Sequence, residues 1–294
     1  MSNRSAGERL PGTPVPMHIW KGFEGLPIAG DSWGDPEGPL VVLQHGGGQT
    51  RHAWKNTGEL LAEAGYHAVA FDARGHGDSG WAQPGHYGAD SMVEDLRCVI
   101  RALGGKRPVL VGASMGGGTS LVAIGEGRVE ASALVLVDMA PYIEETGARA
   151  IQNFMDQRPD GFGTLEEVAE AIANYQPHRP RPRRLDGLAK NVRLAEDGRY
   201  RWHWDPEWRR NRSPAGAYRQ RLHDCADRLS LPILLVRGAL SNVISDQSVE
   251  RFLAQCTHAE YVNVLNAAHM VAGDKNDLFA DATIEFLRRV VPSR

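Results

Sequence analysis

A short apolar run, Val109-Leu110-Val111, leads straight into Gly112-Ala113-Ser114-Met115-Gly116, and a glycine-led stretch with helical character follows at once. The pattern is G-x-S-x-G between a strand and a helix, and few architectures accommodate it. The serine has to sit on a turn too sharp for relaxed backbone. The residues two before and two after it must be small so that neighbouring chain can approach. Such a turn lifts the Ser114 hydroxyl above the end of the strand, which makes Ser114 a candidate nucleophile. The next amide, that of Met115, faces the same space from a helix N-terminus, where negative charge is favoured.

The rest of the chain supplies the sheet that such a turn needs. Compact apolar runs predict strands at Leu40 to Gln44, Tyr66 to Phe71, Pro108 to Val111, Ala133 to Val137, Ile233 to Val236 and Tyr261 to Leu265. Between them, apolar residues at helical spacing predict helices over His52 to Ala64, Ser91 to Leu103, Met115 to Ile124, Gln247 to Ala254 and Asp277 to Val290. Runs that are apolar at every position belong to strands buried on both faces. Strand–helix alternation therefore predicts an α/β fold, a mostly parallel sheet with helices on both sides. Residues 139–230 break the rhythm, being rich in Arg, Pro and Trp. We read them as a cap or lid inserted between two sheet strands, with residues 1–138 and 231–294 forming the core. Trp202, Trp204 and Trp208 fall in that insertion, as does the basic, proline-broken run from His178 to Arg184, read as a solvated linker. The first dozen residues are polar and rich in Gly and Pro, and predict a frayed tail.

Composition narrows the function. Lys plus Arg is 33 against 36 for Asp plus Glu, a formal net charge of −3, so a nucleic-acid footprint is not indicated. No apolar run approaches the roughly 20 residues that span a bilayer, and the N-terminus lacks the apolar core of a signal peptide. Three dispersed cysteines, Cys98, Cys225 and Cys256, fit a reducing, cytoplasmic setting better than a disulfide framework.

Two further segments carry chemistry. His45-Gly46-Gly47-Gly48 follows the Leu40–Gln44 strand, and glycines there let backbone approach a ligand. The Gly47 amide is the expected partner of the Met115 amide in an oxyanion hole, with Gly46 beside the substrate. His269 follows the last predicted strand, late in the chain. In elbow-bearing sheets the order is Ser, then acid, then His, so His269 is the candidate general base. Gly75-His76-Gly77-Asp78-Ser79-Gly80 also matches G-x-G-x-x-G. No helix is predicted to open directly on it, because Pro84, Gly85 and Gly88 intervene, so a dinucleotide site is not expected. The histidines form no metal-ligand spacing, and neither metal nor cofactor is expected.

From about residue 17 to 290, these motifs together resemble the α/β-hydrolase-fold serine hydrolases, with 139–230 in the place of the family's variable cap. Asp72-Ala73-Arg74-Gly75-His76-Gly77-Asp78-Ser79 is similar to the D-x-R-G-x-G-x-S turn of many members. The nearest likeness is to esterase, lactonase and cofactor-free haloperoxidase-like members. The resemblance implies an eight-stranded, mostly parallel sheet with a helical cap after the sixth strand. It also implies hydrolysis of a small-molecule carboxylic ester or lactone through an acyl-enzyme. Because ligand pockets are lined by apolar and aromatic groups, at least one of Trp202, Trp204 and Trp208 is expected in or beside the pocket above Ser114, with Trp202 and Trp204 as the candidate substrate contacts. Epoxide and haloalkane hydrolysis are disfavoured, since those members carry Asp at the elbow. Another serine-dependent reaction, perhydrolysis or carbon–carbon bond cleavage, and a slow-turnover ligand-binding role remain alternatives. The family's usual acid lies after the seventh strand, where this chain has Ser241 and Asn242 and no carboxylate. The resemblance to members whose acid follows the sixth strand favours Asp138. Asn242 and Asp246 are the alternatives, Asp246 being expected mainly to cap the helix that starts near Gln247.

Overall fold

Leu40-Val41-Val42-Leu43 has no polar face, and neither does Ala133-Leu134-Val135-Leu136-Val137. In the computed structural model, which describes residues 4–177, 185–210, 215–269 and 276–293, both form fully buried strands. The strands in chain order are β1 (Glu8–Arg9), β2 (His18–Lys21), β3 (Pro27–Trp33), β4 (Leu40–Gln44), β5 (His67–Phe71), β6 (Val109–Ala113), β7 (Ala133–Val137), β8 (Val192–Leu194), β9 (Tyr200–Trp202), β10 (Ile233–Gly238) and β11 (Ala259–Val264). The α-helices are α1 (Lys55–Glu63), α2 (Ala89–Ala102), α3 (Met115–Gly125), α4 (Glu145–Asp156), α5 (Leu165–Tyr175), α6 (Pro206–Arg210), α7 (Ala215–Ala226), α8 (Asp246–Gln255) and α9 (Asn276–Val290).

Eight strands form one sheet in the order β11-β10-β7-β6-β4-β5-β3-β2. Seven of them run in one direction and β3 alone runs against them, so only the β3–β5 and β2–β3 pairings are antiparallel. Side chains alternate between two cores, as a two-residue period requires. Val42, Leu110, Leu134, Leu136 and Leu235 meet Leu96 of α2, Leu121 of α3 and Phe252 of α8 on one face. Val41, Leu43, Val111, Val135 and Val236 meet Leu61 of α1 and Phe279 and Leu287 of α9 on the other.

Strand β6 lies between β4 and β7, with Gln44 opposite Gly112 and Val137 opposite Ala113. The segments leaving β4, β6 and β7 therefore emerge side by side at the carboxyl edge of the sheet, where open α/β sheets bind ligands. These segments contain His45–Gly48, Ser114 and Asp138.

Several elements depart from the sequence reading. The tail is not frayed where it is described: Glu8 and Arg9 pair with Leu194 and Arg193 of β8, and the Arg9 guanidinium meets Asp78 at 3.2 Å. The helix expected from His52 opens as a 3-10 turn, Arg51–Trp54, because Asp72 holds both the amide and the guanidinium of Arg51. Within 139–230, β8 and β9 form a hairpin that joins β1 in a small second sheet. Much of this segment packs around a cluster that includes Met155, Phe162, Val168, Trp202, Trp204 and Trp208 and is shared with Ala82, Tyr87 and Met92 of the core. Helix α7 lies in the same segment, yet it places Leu222, Cys225 and Ala226 in the sheet core. The basic run His178 to Arg184 lies outside the described residues. Among the described residues, no helix is long and apolar enough to cross a membrane.

Candidate active site

The elbow has the strain that its sequence demands. Ser114 sits at φ 45° and ψ −107°, a conformation that costs a non-glycine residue on the order of 1–3 kcal/mol and persists only where surrounding structure enforces it. The enforcement is visible on both sides. A Cβ on Gly112 would lie 2.4 Å from the Gly117 nitrogen, and one on Gly116 would lie 2.4 Å from the Gln44 carbonyl. Only glycine lets strand, helix and neighbouring strand close on one another here. Ser114 is tied further by its amide, which donates to the Val137 carbonyl at 3.2 Å. Met115 is the first residue of α3, so its N–H has no acceptor within its own helix.

The loop after β4 faces this serine. The Gly46 amide donates to Gln49 Oε1 at 2.8 Å and the Gly48 amide to His76 Nε2 at 3.2 Å. The Gly47 amide, unlike those of Gly46 and Gly48, has no protein acceptor among the described residues. Above it lies Trp208, so close that a Cβ on Gly47 would come within 2.6 Å of the indole. Trp204 and Met155 lie against Gly48 in the same way, at 3.4 and 3.1 Å from such a position. Trp202 is one layer back: it stacks on Trp204 at 5.0 Å and packs against Phe162 rather than against the loop.

Asp138 leaves the end of β7 at φ 47°, fully buried. Its Oδ2 accepts from His269 Nδ1 at 2.6 Å and from the Ser241 hydroxyl, and its Oδ1 accepts from the Gly238 amide at 3.1 Å. A carboxylate that receives three donors only accepts. This bonding assigns the proton of His269 to Nδ1 and leaves Nε2 with a lone pair, as a base requires.

The other two acid candidates are placed elsewhere. Asn242 is exposed. Asp246 is in the first turn of α8 and pairs with Arg237 at 2.7 Å, while the N-cap is Ser245, whose hydroxyl accepts from the Ser248 amide. Ser241 is the residue that sequence reasoning missed. It occupies the loop position where a carboxylate was sought, and it supports Asp138 instead. The absence of an acid after β10 was the only signal for it.

The D-x-R-G-x-G-x-S turn forms the floor of the loop. Arg51 is completely buried, and its guanidinium meets Asp31 at 2.9 Å, Asp72 at 2.6 Å and Asp78 at 2.9 Å. Arg74 pairs with Asp95 at 2.6 Å. Burial is the largest single influence on Asp72 and works against its charge, but Arg51, His45 and the amides of Asp78 and Arg51 together outweigh it and hold the carboxyl below its usual range. Burial lowers His45, and burial together with Arg51 lowers neighbouring His52 to about 4. No helix opens on Gly75–Gly80, since α2 begins at Ala89. Among the described residues, no group of three or more His, Cys, Asp or Glu is placed to hold a metal ion.

Comparison with known proteins agrees with this architecture. Residues 39–275 match the model of the alpha/beta hydrolase fold family. The chain is 31% identical over 272 residues to Esterase Rv0045c of Mycobacterium tuberculosis, covering 89% of this chain and 85% of that one. It is 27% identical over 255 residues to a 3-hydroxybutyrate-oligomer hydrolase of Cupriavidus necator, covering 82% and 86% of the two chains. A solved structure of the M. tuberculosis esterase superposes with a TM-score of 0.71 at 28% identity, covering 95% of this chain and 93% of that one. An alpha/beta hydrolase of Novosphingobium aromaticivorans superposes with a TM-score of 0.79 at 22% identity, covering 95% and 100%. With the elbow, the glycine loop and the histidine loop converging on one sheet edge, and with most of its length matched, this chain belongs to the α/β-hydrolase family.

Proposed function

We propose that the chain is a serine carboxylesterase that cleaves a small-molecule ester or lactone through an acyl-enzyme. The observation that carries this reading is the buried Asp138 carboxylate bonded at 2.6 Å to Nδ1 of His269, in a fold whose elbow presents Ser114. In the reaction His269 Nε2 takes the Ser114 proton as Oγ attacks the substrate carbonyl. The Gly47 and Met115 amides receive the oxyanion, and one such donor is typically worth roughly 3–4 kcal/mol. As the tetrahedral intermediate collapses, His269 returns the proton to the leaving alkoxide. It then draws a proton from water, which attacks the acyl-serine. Asp138 keeps the imidazole in the required tautomer and balances its charge in both halves of the cycle.

The names of the relatives support ester cleavage. They include an esterase, a hydroxybutyrate-oligomer hydrolase and protein phosphatase methylesterases, the last matched by 46% of the entire mouse protein. The core is assigned to residues 1–138 and 231–294, and residues 139–230 serve as the cap that sets substrate size. Trp208 and Trp204, lying against Gly47 and Gly48, support that role. The case for a slow ligand-binding member rests on the missing carboxylate at Asn242, and the Asp138–His269 bond counts against it. The test is turnover of p-nitrophenyl esters of increasing acyl length and of simple lactones by the wild type and by Ser114→Ala. Ester turnover lost in the variant at unchanged thermal midpoint is expected. Undiminished turnover in the variant would refute the reading.

A further inference from the structure

Three buried histidines surround the glycine loop, and the proposed chemistry uses none of them. His45, His76 and His203 are 1%, 0% and 1% exposed. Their rings adjoin in series, His45 to His76 at 5.2 Å and His76 to His203 at 5.9 Å between centroids. Each ring joins the loop to the turn below it through backbone groups. His45 Nδ1 meets the Gly46 carbonyl at 2.8 Å, and its Nε2 accepts from the Ala73 amide at 2.9 Å. His76 Nε2 accepts from the Gly48 amide at 3.2 Å, and its Nδ1 meets the Arg74 carbonyl at 3.1 Å. His203 Nδ1 accepts from the Gly77 amide at 2.8 Å, and its Nε2 meets the Gly48 carbonyl at 3.2 Å.

The backbone partners fix the tautomers. A ring nitrogen that accepts from an amide carries no proton, and one that faces a carbonyl has to carry one. His45 and His76 are therefore neutral with the proton on Nδ1, and His203 is neutral with the proton on Nε2. Neutral imidazole is the side chain suited to this task, because it offers a donor and an acceptor on separate edges of one rigid ring. Burial opposes protonation in two of these rings, holding His203 well below the usual imidazole range and lowering His45 as well. Gly48 is thus gripped at both of its peptide groups, one residue from the Gly47 amide. His203 differs from the other two in origin: it comes from the 139–230 segment, directly after β9, and is flanked by Trp202 and Trp204.

We infer that His203 is a positioning residue, through which the segment over the site holds the Gly46–Gly48 loop in the geometry that presents the Gly47 N–H to the reacting carbonyl oxygen. The role rests on the serine-esterase reading above and adds to it that the covering segment is part of the oxyanion site. Trp208, which packs edge-on to His76 at 4.6 Å and against Gly47, closes the same assembly from above.

The test compares p-nitrophenyl acetate with its thiono analogue, in which sulfur replaces the carbonyl oxygen. Amide donors placed for a compact oxyanion stabilise the larger, more diffuse sulfur anion poorly, so the ratio of oxo to thiono kcat measures the fit of the hole. The ratio does not depend on the fraction of enzyme that is folded. In His203→Leu, which keeps bulk and removes both nitrogens, oxo kcat is expected to fall by about tenfold or more, with KM nearly unchanged and the oxo/thiono ratio falling with kcat. His203→Asn, whose amide keeps one donor and one acceptor, is expected to restore part of the ratio. A ratio unchanged in His203→Leu, with only the thermal midpoint lowered, would reduce His203 to packing and overturn the inference. Nitrogen-15 spectra of wild-type histidines near neutral pH provide a second reading that needs no variant. A neutral His203 protonated at Nε2 is expected, and a cation or the opposite tautomer would overturn it. Failure of the parent reading looks different: wild-type ester turnover would then be independent of Ser114.

Discussion

Replacing Asp138 by Asn changes one atom and tests most of the site at once. The carboxylate receives three donors: His269 Nδ1 and the Ser241 hydroxyl on Oδ2, and the Gly238 amide on Oδ1. An asparagine has one oxygen to offer. If the oxygen faces His269, the new NH₂ confronts the Gly238 N–H across about 3 Å, two donors with nothing between them. If the NH₂ faces His269 instead, the imidazole has to move its proton to Nε2, and the base is lost. In either arrangement the full negative charge that balances the imidazolium is gone. In a serine-hydrolase triad this exchange costs about 10⁴ in kcat, or ~5.5 kcal/mol of transition-state stabilisation. The unpaired donor adds a stability cost of about 1–3 kcal/mol, since Asp138 is fully buried. Initial rates on p-nitrophenyl acetate, alongside the thermal midpoint, separate the two effects. A fall in kcat smaller than about tenfold in folded Asp138→Asn would refute the assignment of Asp138 as the acid.

Other expectations follow from neighbouring geometry. Ser241→Ala removes a donor to the charged carboxylate and should lower kcat by about tenfold with KM unchanged, the equivalent of one charge-assisted hydrogen bond. Gly47→Ala places a Cβ within 2.6 Å of the Trp208 indole, so loop or indole has to shift. Its kcat should fall by about 100-fold, the loss of one oxyanion donor, and undiminished kcat would remove Gly47 from the hole. His52 is lowered from 6.5 to about 4 by burial and Arg51, so the unfolded chain binds a proton that the folded chain refuses. Stability contributed here is complete above pH 6.5 and is lost as pH falls from there towards 4. Thermal midpoints across that range should decline less steeply in His52→Gln than in the wild type.

How much of this was legible in the sequence depended on whether a residue's role was local. The elbow was legible because Gly112, Ser114 and Gly116 answer to backbone geometry within one turn. The central strands were legible because burial on both faces leaves no polar position. Strands β2 and β3 went unread. Pro27–Trp33 contains Gly30 and Asp31, and Asp31 is tolerated inside because it reaches Arg51, twenty residues away in sequence, and accepts from the Met17 amide. Strand β1 is two residues long, too short for any period, and its partner β8 lies far along the chain. The position of Asp138 after β7 could be read, but its partners could not, because Ser241 and His269 reach it from other loops. His45 and His76 stand in motifs that the sequence displays, but their bonding was not legible, because the Ala73 and Gly48 amides reach them from other segments, and His203 falls in no motif at all.

In the proposed reaction Ser114 carries the covalent acyl group. This role is tested most directly by treating the wild type and Ser114→Ala with a serine-directed fluorophosphonate and mapping the adduct by peptide mass spectrometry. One adduct per chain is expected, on the peptide carrying Ser114, with ester turnover abolished in step with labelling and no adduct in the variant. An adduct at another residue, or labelling that persists in Ser114→Ala, would contradict that role.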